Sequence, residues 1–509
     1  MQSLRKPDSA ILLYAVVAAG IVFRIHQYLQ RPALWLDEAM LAMSIVHRPW
    51  YGLIVTPLYM RQTSSPLYLE FAHFSAMIFG RNELALRFPS IVFSILSMIL
   101  FAMLARRIFR NGTAVAACFF FALSPMLVRY AAETKPYSAD VFASVLLMLV
   151  ALRMRDARFE RKWVIRAAVA TGFAIFVSDV GVLVTAGVGA ALAFLAWRER
   201  DATARRALEI LAPFSLIVMI AAVGAMKLRM SGGAVTMLRG AWRGGFWPIL
   251  PPHEFGAIVW PLKITSELFP ALGGIRSAKG LALLAAFAGC AALWRSGKRE
   301  TVALVAGLFL VTLIASAAHL YPYRPARISL YLLPPLIIAF AAGLELVSRT
   351  VRSLQPAALA AFCLLCFPMQ SLLAAWADPP NLVEDIPGVL AHLQAQREPG
   401  DKIYAYWGAV PATLFYGPKF GLEADDVNLG LRDRLDPTRY RKELEKLRGN
   451  RRVWLIFSHD FHANNRNAIL ARMDSIGIRV DEFPPQTRRT DAVLYLYDLS
   501  HPSTAATPP

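Results

Sequence analysis

The chain has 509 residues, 56% of them hydrophobic and only 17% charged, and its 54 Lys and Arg against 35 Asp and Glu give a net charge of +19. Soluble domains run at about 45–50% apolar and about 25% charged, so a soluble globule is excluded; the mean hydropathy of +0.45 says the same. Much of the basic excess sits in short loops between apolar blocks, where anionic lipid headgroups, not nucleic acid, are the simpler partner.

Taken in chain order, eleven apolar blocks approach the length of the roughly 20-residue helix that a bilayer core demands. They cover residues 11–28, 88–108, 113–128, 137–154, 163–177, 181–197, 207–226, 278–294, 301–320, 328–347 and 356–376. The fifth and sixth are short, and a re-entrant hairpin competes there with two crossings. The first resembles a signal peptide, but residues 23–32 offer no small-residue cleavage site, so it reads as an uncleaved anchor. Arg5 and Lys6, Arg106, Arg107 and Arg110, the basic residues of 153–166, 198–206 and 295–299, and Arg349 with Arg352 fall on one side, which the retention of positive charge makes the cytoplasm. The amino terminus is then inside and residues after 376 are outside. Cys118, Cys290, Cys363 and Cys366 all lie within apolar blocks, so neither a disulfide framework nor a zinc site is indicated.

The loops on the outer side carry the candidate chemistry. The first, about 29–87, contains Trp35-Leu36-Asp37-Glu38 followed by amphipathic stretches at 39–46 and 64–79. Adjacent carboxylates outside a helix end serve as a base or a metal ligand; the competing reading makes Asp37 an N-cap of the helix that follows. The second packs Arg129, Glu133 and Lys135 into a tight hairpin, and a third, 321–327, is again basic and aromatic. Interfacial anchoring by aromatic and snorkelling basic side chains accounts for one such loop. Several, together with the long 227–276 segment, point to a shared anionic ligand near the outer interface, and a lipid-linked phosphate fits that position. Asp179, between two short apolar stretches, either lines a cavity or caps a helix. His73, beside Phe71 and Phe74, reads as packing, and Trp242, Trp247 and Trp260 as interfacial belt residues.

Leu36-Asp37-Glu38, Ser65-Pro66-Leu67-Tyr68, Leu86-Arg87-Phe88-Pro89-Ser90 and Arg129-Tyr130-Ala131-Ala132-Glu133-Thr134-Lys135-Pro136-Tyr137-Ser138, in that order and spacing, resemble the GT-C glycosyltransferases. Within that superfamily the chain is similar to the bacterial family 39-like enzymes. These are relatives of protein O-mannosyltransferases and of the transferases that add aminoarabinose or galacturonic acid to lipopolysaccharide. The resemblance covers about the first 140 residues and, later, the topology and the 323–335 loop and helix.

It implies a donor with one sugar on a polyprenyl monophosphate, an acceptor that is a glycan, lipid or protein, and the first-loop Asp37 as catalytic base, with Glu38 beside it. It also implies cations around the departing phosphate: Lys135, Arg324 and Arg327 first, then Arg129 and Arg243. Glu133, Tyr137 and Tyr323 are the candidate substrate-orienting residues. No cofactor is expected, a divalent metal at Asp37 and Glu38 being the less favoured alternative. Lys135 stands where many relatives carry Arg, which keeps the charge but loses the planar fork.

Beyond 376 the character changes to a soluble domain. Residues 402–407, 453–458, 479–483 and 492–497 read as strands, and 386–396 and 438–447 as amphipathic helices, giving an α/β layer. His459, Asp460 and His462 invite a metal site, but they follow a strand where polar turns ordinarily fall, and no third ligand cluster accompanies them. The expected protein is therefore an α-helical polytopic membrane protein of the bacterial cytoplasmic membrane, GT-C-like over 1–376, with an extracytoplasmic α/β domain over 377–509. The rival is a transporter or flippase of an amphiphile. Against it, the halves show no internal repeat and no matched pair of broken helices.

Overall fold

The structure is a computed structural model that describes residues 9–230, 233–248, 255–272, 278–350, 384–430, 437–460, 463–485 and 491–500. The eleventh apolar block with Cys363 and Cys366, and also His462, lie outside the described residues. In chain order the helices are α1 Ser9–Leu29, α2 Leu36–His47, α3 Trp50–Val55, α4 Pro66–Phe79, α5 Glu83–Ile108, α6 Asn111–Leu123, α7 Pro125–Arg129, α8 Tyr137–Asp156, α9 Arg161–Val177, α10 Gly181–Arg198 and α11 Ala202–Arg229. There follow α12 Ala234–Ala241, α13 Phe255–Ser266, α14 Lys279–Arg295, α15 Arg299–Ala317, α16 Leu333–Thr350, α17 Ile386–Gln396, α18 Val410–Tyr416, α19 Pro437–Glu445 and α20 Ala463–Ile476. The chain forms two compact units, Met1–Gln30 with Arg48–Ala377, and Arg31–His47 with Asp378–Pro509.

In the first unit, ten of the apolar blocks read from sequence are helices. Among the described residues seven helices are long and apolar enough to cross a membrane, and an eighth span arises if the bent pair α6 and α7 counts as one. That pair turns through 53° because Pro125 cannot continue the ladder of α6 and Ser124 instead caps α7, its hydroxyl accepting from Leu127 N. The helices α9 and α14, at 17 residues each, are shorter. This is a multi-pass helical membrane fold.

Polar side chains fix the helix ends. Asn82 accepts from Ala85 N at the start of α5, and Asp201 from Thr203 N and Ala204 N at the start of α11. Small residues let the helices approach: Gly187 of α10 faces Gly307 of α15, and a side chain at either would collide with the other helix's backbone. The helix α1 is tied down by a buried charge. Arg24, fully buried, donates to Ser94 Oγ (3.0 Å) and to the carbonyls of Gly20, Phe121 and Ala122 at 2.9–3.0 Å. It thus clamps α1 to α5 and to the end of α6, satisfying carbonyls that the bend at Ser124 leaves without helical partners.

The second unit carries a five-stranded sheet in the order β2-β1-β3-β5-β4. The strands are β1 Lys402–Ala405, β2 Val427–Leu429, β3 Val453–Phe457, β4 Ile478–Phe483 and β5 Val493–Asp498. Strand β1 runs parallel to β2 and β3, and β5 antiparallel to β3 and β4. Every residue of β3 is buried, as a central strand covered on both faces requires. Four strands and both helices fall where the alternation placed them. Strand β2, three residues long, is too short to show a period, and it is an addition to the expected set.

Residues 31–47, the first part of the 29–87 segment, pack in this unit rather than with the helices that flank them in sequence. Leu34 N donates to the Tyr416 hydroxyl at 2.9 Å across 382 residues of chain, and the indole of Trp35 lies 6.4 Å from the His459 ring.

Candidate active site

Three of the motifs that carry the sequence resemblance meet in the first unit. The Ser90 hydroxyl donates to the carbonyl of Glu133 at 2.6 Å and stands 3.1 Å from that of Lys135, while the Tyr68 hydroxyl lies 2.8 Å from Ser90 Oγ. Ser138 Oγ donates to Tyr130 O, closing the 130–138 hairpin on itself. Tyr68 and Ser90 thus lock the backbone of the tight turn from the flanking helices α4 and α5.

One of those side chains is Lys135, only 6% exposed, whose ammonium donates to Gln62 Oε1 at 2.8 Å. A second buried cation is Arg229, at the last turn of α11, 4% exposed and donating from Nη1 to Ser64 O at 2.7 Å. Between them lies Asp179. The turn that carries it joins α9 to α10 and is held by Asp140 of α8, whose Oδ1 accepts from Ser178 Oγ at 2.7 Å and from Asp179 N at 2.9 Å. Gly181 opens the next helix because any side chain there would strike the backbone of α9. Burial raises the Asp179 carboxyl to about 6, while the charge of Lys135, a hydrogen bond from the Ser65 backbone and the charge of Arg229 pull the other way. The Asp179 residue is exposed to solvent while both cations act on its carboxyl.

The remaining candidate residues of these loops divide into two sets. Arg327 hydrogen-bonds the Tyr130 hydroxyl, and its guanidinium lies 5.8 Å from the ring centres of both Tyr137 and Trp242. Arg129 forms an ion pair with the buried Glu133 at 3.5 Å and is itself half-exposed over the Tyr130 ring. Arg327, Tyr137, Arg129 and Glu133, with Lys135, belong to the same hairpin or touch it. Arg243 and Arg324, by contrast, are exposed on two adjoining loops joined by Tyr323 N donating to Gly245 O at 2.6 Å. Tyr323 is fully buried, its hydroxyl 2.7 Å from Thr265 Oγ1, and burial raises its phenol. Its hydroxyl is therefore spent inside the fold.

In the second unit, Asp37 and Glu38 occupy the first turn of α2. The N-cap position belongs to Trp35, whose carbonyl accepts from Glu38 N and Ala39 N at 2.9 Å, so Asp37 is not the cap. That end of the helix is served instead by Glu384, whose buried carboxylate takes a hydrogen bond from Leu36 N and pairs with His459 Nδ1 at 2.8 Å. An anion at the amino end of a helix is favourable, and here it comes from 346 residues further along the chain than Glu38. Burial holds the Glu384 carboxyl above the usual carboxylate range, against the pull of His459. Glu38 is 1% exposed, whereas Asp37 is half-buried and accessible. Among the described residues no group of three or more His, Cys, Asp or Glu could hold a metal ion; His459 is engaged with Glu384, and Asp460 lies 3.5 Å from Arg466.

Sequence reasoning missed Gln62, Asp140, Arg229 and Glu384. An acid in the first turn of an apolar helix was the available signal for Asp140. Arg229 looked like an ordinary cation at a helix end, and its partner Ser64 is 165 residues away.

Comparison with known proteins bears on the fold. The family pattern described as dolichyl-phosphate-mannose-protein mannosyltransferase matches residues 63–224, the stretch that supplies Ser65, Lys135, Asp140 and Asp179. No curated protein sequence matches the chain. Among solved structures, ArnT from Cupriavidus metallidurans bound to undecaprenyl phosphate superposes with a TM-score of 0.54 at 14% identity, over 95% of this chain and 97% of that one. The archaeal oligosaccharyltransferase AglB from Archaeoglobus fulgidus, in complex with an inhibitory peptide and a dolichol-phosphate, gives 0.51 at 12% identity over 96% of this chain and 74% of that one. The fold is that of the GT-C glycosyltransferases, and the resemblance read from the motifs is borne out at that level.

Proposed function

We propose that the protein is a glycosyltransferase of the bacterial cytoplasmic membrane. It transfers a monosaccharide from a polyprenyl-phosphate carrier to a hydroxyl or amine of an acceptor outside the cytoplasm, with inversion at the anomeric carbon. The observation that carries this reading is the pair of buried cations, Lys135 and Arg229, whose charges both act on the exposed Asp179, in a GT-C fold. A membrane unit that keeps two such cations at one end of its helices is suited to a phosphate at the membrane surface.

In this reading Asp37 removes the acceptor proton, because it is the accessible member of the Asp37–Glu38 pair and a base must come within about 2.6–3.2 Å of that proton. Lys135 and Arg229 stabilise the charge that grows on the phosphate as it leaves, a role that needs no separate acid. Arg327, held against Tyr130 and Tyr137, and Arg129, paired with Glu133, supply further positive charge around the same hairpin. Arg243 and Arg324 are placed to meet headgroups or the carrier's outer end.

The test is transfer of sugar by the purified protein from a panel of polyprenyl-phosphate monosaccharides, run beside movement of the same compounds across sealed vesicles. Sugar transfer without transport is the expected result. Transport without transfer would replace the enzyme by a lipid-linked-substrate transporter.

A further inference from the structure

A site made of two buried cations has to be stable when no phosphate occupies it. Leaving a buried charge without compensation is strongly destabilising, so an empty phosphate site needs an internal anion. The structure supplies one. The charges of Lys135 and Arg229 both act on the Asp179 carboxylate, and the Asp140 carboxylate fixes the turn that presents it through two hydrogen bonds of 2.7 and 2.9 Å. Asp179 is also exposed, so an anion that approaches it comes under the charge of Asp179 and of the two cations that act on it.

We propose that Asp179 is the built-in counter-ion of the phosphate site, and that by repelling a doubly charged phosphate more than a singly charged one it drives release of the spent carrier. The inference rests on the proposed reaction. There the donor is a phosphodiester with one negative charge. The acceptor's oxygen or nitrogen forms a bond to the anomeric carbon and its proton passes to Asp37. The bond from that carbon to the phosphate oxygen breaks, and its electron pair stays on the phosphate. The product is thus a phosphomonoester, which carries about 1.5 to 2 negative charges near neutral pH. Coulomb energy scales with the product of the charges. Lys135 and Arg229 alone would therefore hold the product harder than the donor and stall the enzyme after one turnover. A fixed carboxylate beside them cancels much of that preference.

The prediction has a sign that a merely structural Asp179 would not give. In Asp179→Asn, polyprenyl phosphate should bind about tenfold tighter and a polyprenyl phosphodiester about threefold tighter, since each loses a repulsion in proportion to its charge. Steady-state kcat should fall about tenfold relative to the rate of the first turnover, because release has become limiting. Asp179→Glu, which restores the charge, should restore turnover. Weaker or unchanged binding of polyprenyl phosphate by Asp179→Asn would overturn the proposal.

Should that variant not fold, the wild-type protein still decides the matter. It should bind polyprenyl phosphate and its monomethyl ester within about threefold of each other, and a preference of about tenfold or more for the dianion would overturn the counter-ion role. These binding measurements need no catalysis. If the protein binds both lipids as described but transfers no sugar, the proposed reaction fails while the counter-ion stands.

Discussion

The two units bury charge in different ways. In the α/β unit two buried acids, Asp401 and Glu384, are held by hydrogen-bond donors. Asp401 accepts from Arg452 Nε (2.9 Å), Trp454 Nε1 (2.7 Å) and Glu398 N (3.0 Å), and Glu384 accepts from Leu36 N and pairs with His459. In the helical unit Lys135, Arg229, Asp140 and Asp179 gather at one end of the helices, and solvent reaches Asp179. Closed pairs of the first kind hold elements together, and removing a partner costs stability. An open arrangement leaves charge available to a ligand, and removing a member costs binding or rate. Substitutions in the two units should therefore fail differently, and that contrast can be broken by experiment.

The largest expected effect is at Asp37. Asp37→Asn keeps the shape of the side chain within the first turn of α2 and removes the base, so transfer should fall by about 10²–10⁴-fold with donor binding and thermal stability retained. Activity within a few-fold of wild type would show that Asp37 does not take the proton. In the helical unit, Lys135→Ala should lower both kcat and kcat/KM for the donor, by about 10–100-fold, since the ammonium acts most strongly on the charge developing in the transition state. A rise in KM alone would make Lys135 a binding contact only.

Glu384→Gln tests the closed kind of burial. The amide fills the same space but puts an NH2 group where one carboxylate oxygen stood, so an acceptor for Leu36 N or His459 is lost, about 1–3 kcal/mol of stability should go with it, and activity should fall only as far as α2 shifts. The pH dependence has a definite sign. A carboxyl raised by burial binds its proton more tightly in the folded state, so its ionisation opposes folding as pH rises from the ordinary carboxylate value through the raised one. Melting of the whole chain across that window should show a decline that Glu384→Gln lacks. A variant that declines as steeply as wild type would assign the effect to another acid.

This contrast was only partly legible in the sequence. The apolar blocks, the strands of 402–405 and 453–457 and the helix Ile386–Gln396 announce themselves because length and period are local properties. The hairpin 129–138 and its partners Tyr68 and Ser90 were legible as motifs. What no local pattern discloses is pairing across long separations: Arg229 with Ser64, Leu34 with Tyr416, and Glu384 with the first turn of α2. Asp37 as an N-cap was a sound reading of Leu-Asp-Glu before a helix, and it gave way because an acid from the far end of the chain serves that helix end.

The smallest effect is expected at Tyr323, where sequence and structure pull apart most clearly. A tyrosine in a basic outer loop reads as a group that orients substrate, and a hydroxyl free to do so would cost rate when removed. Here the ring is fully buried, Trp260 packs near it with centroids 6.1 Å apart, and the hydroxyl meets Thr265 Oγ1 at 2.7 Å. Tyr323→Phe keeps the ring and deletes only that hydrogen bond. Thr265 Oγ1 still lies 2.6 Å from Pro261 O, so its hydroxyl keeps a partner and no buried donor is orphaned. The loss should be about 0.5–1.5 kcal/mol in stability, with kcat and the donor KM within about twofold of wild type. A fall in kcat of about tenfold or more at unchanged stability would return Tyr323 to the substrate and place the 321–327 loop over the reacting sugar.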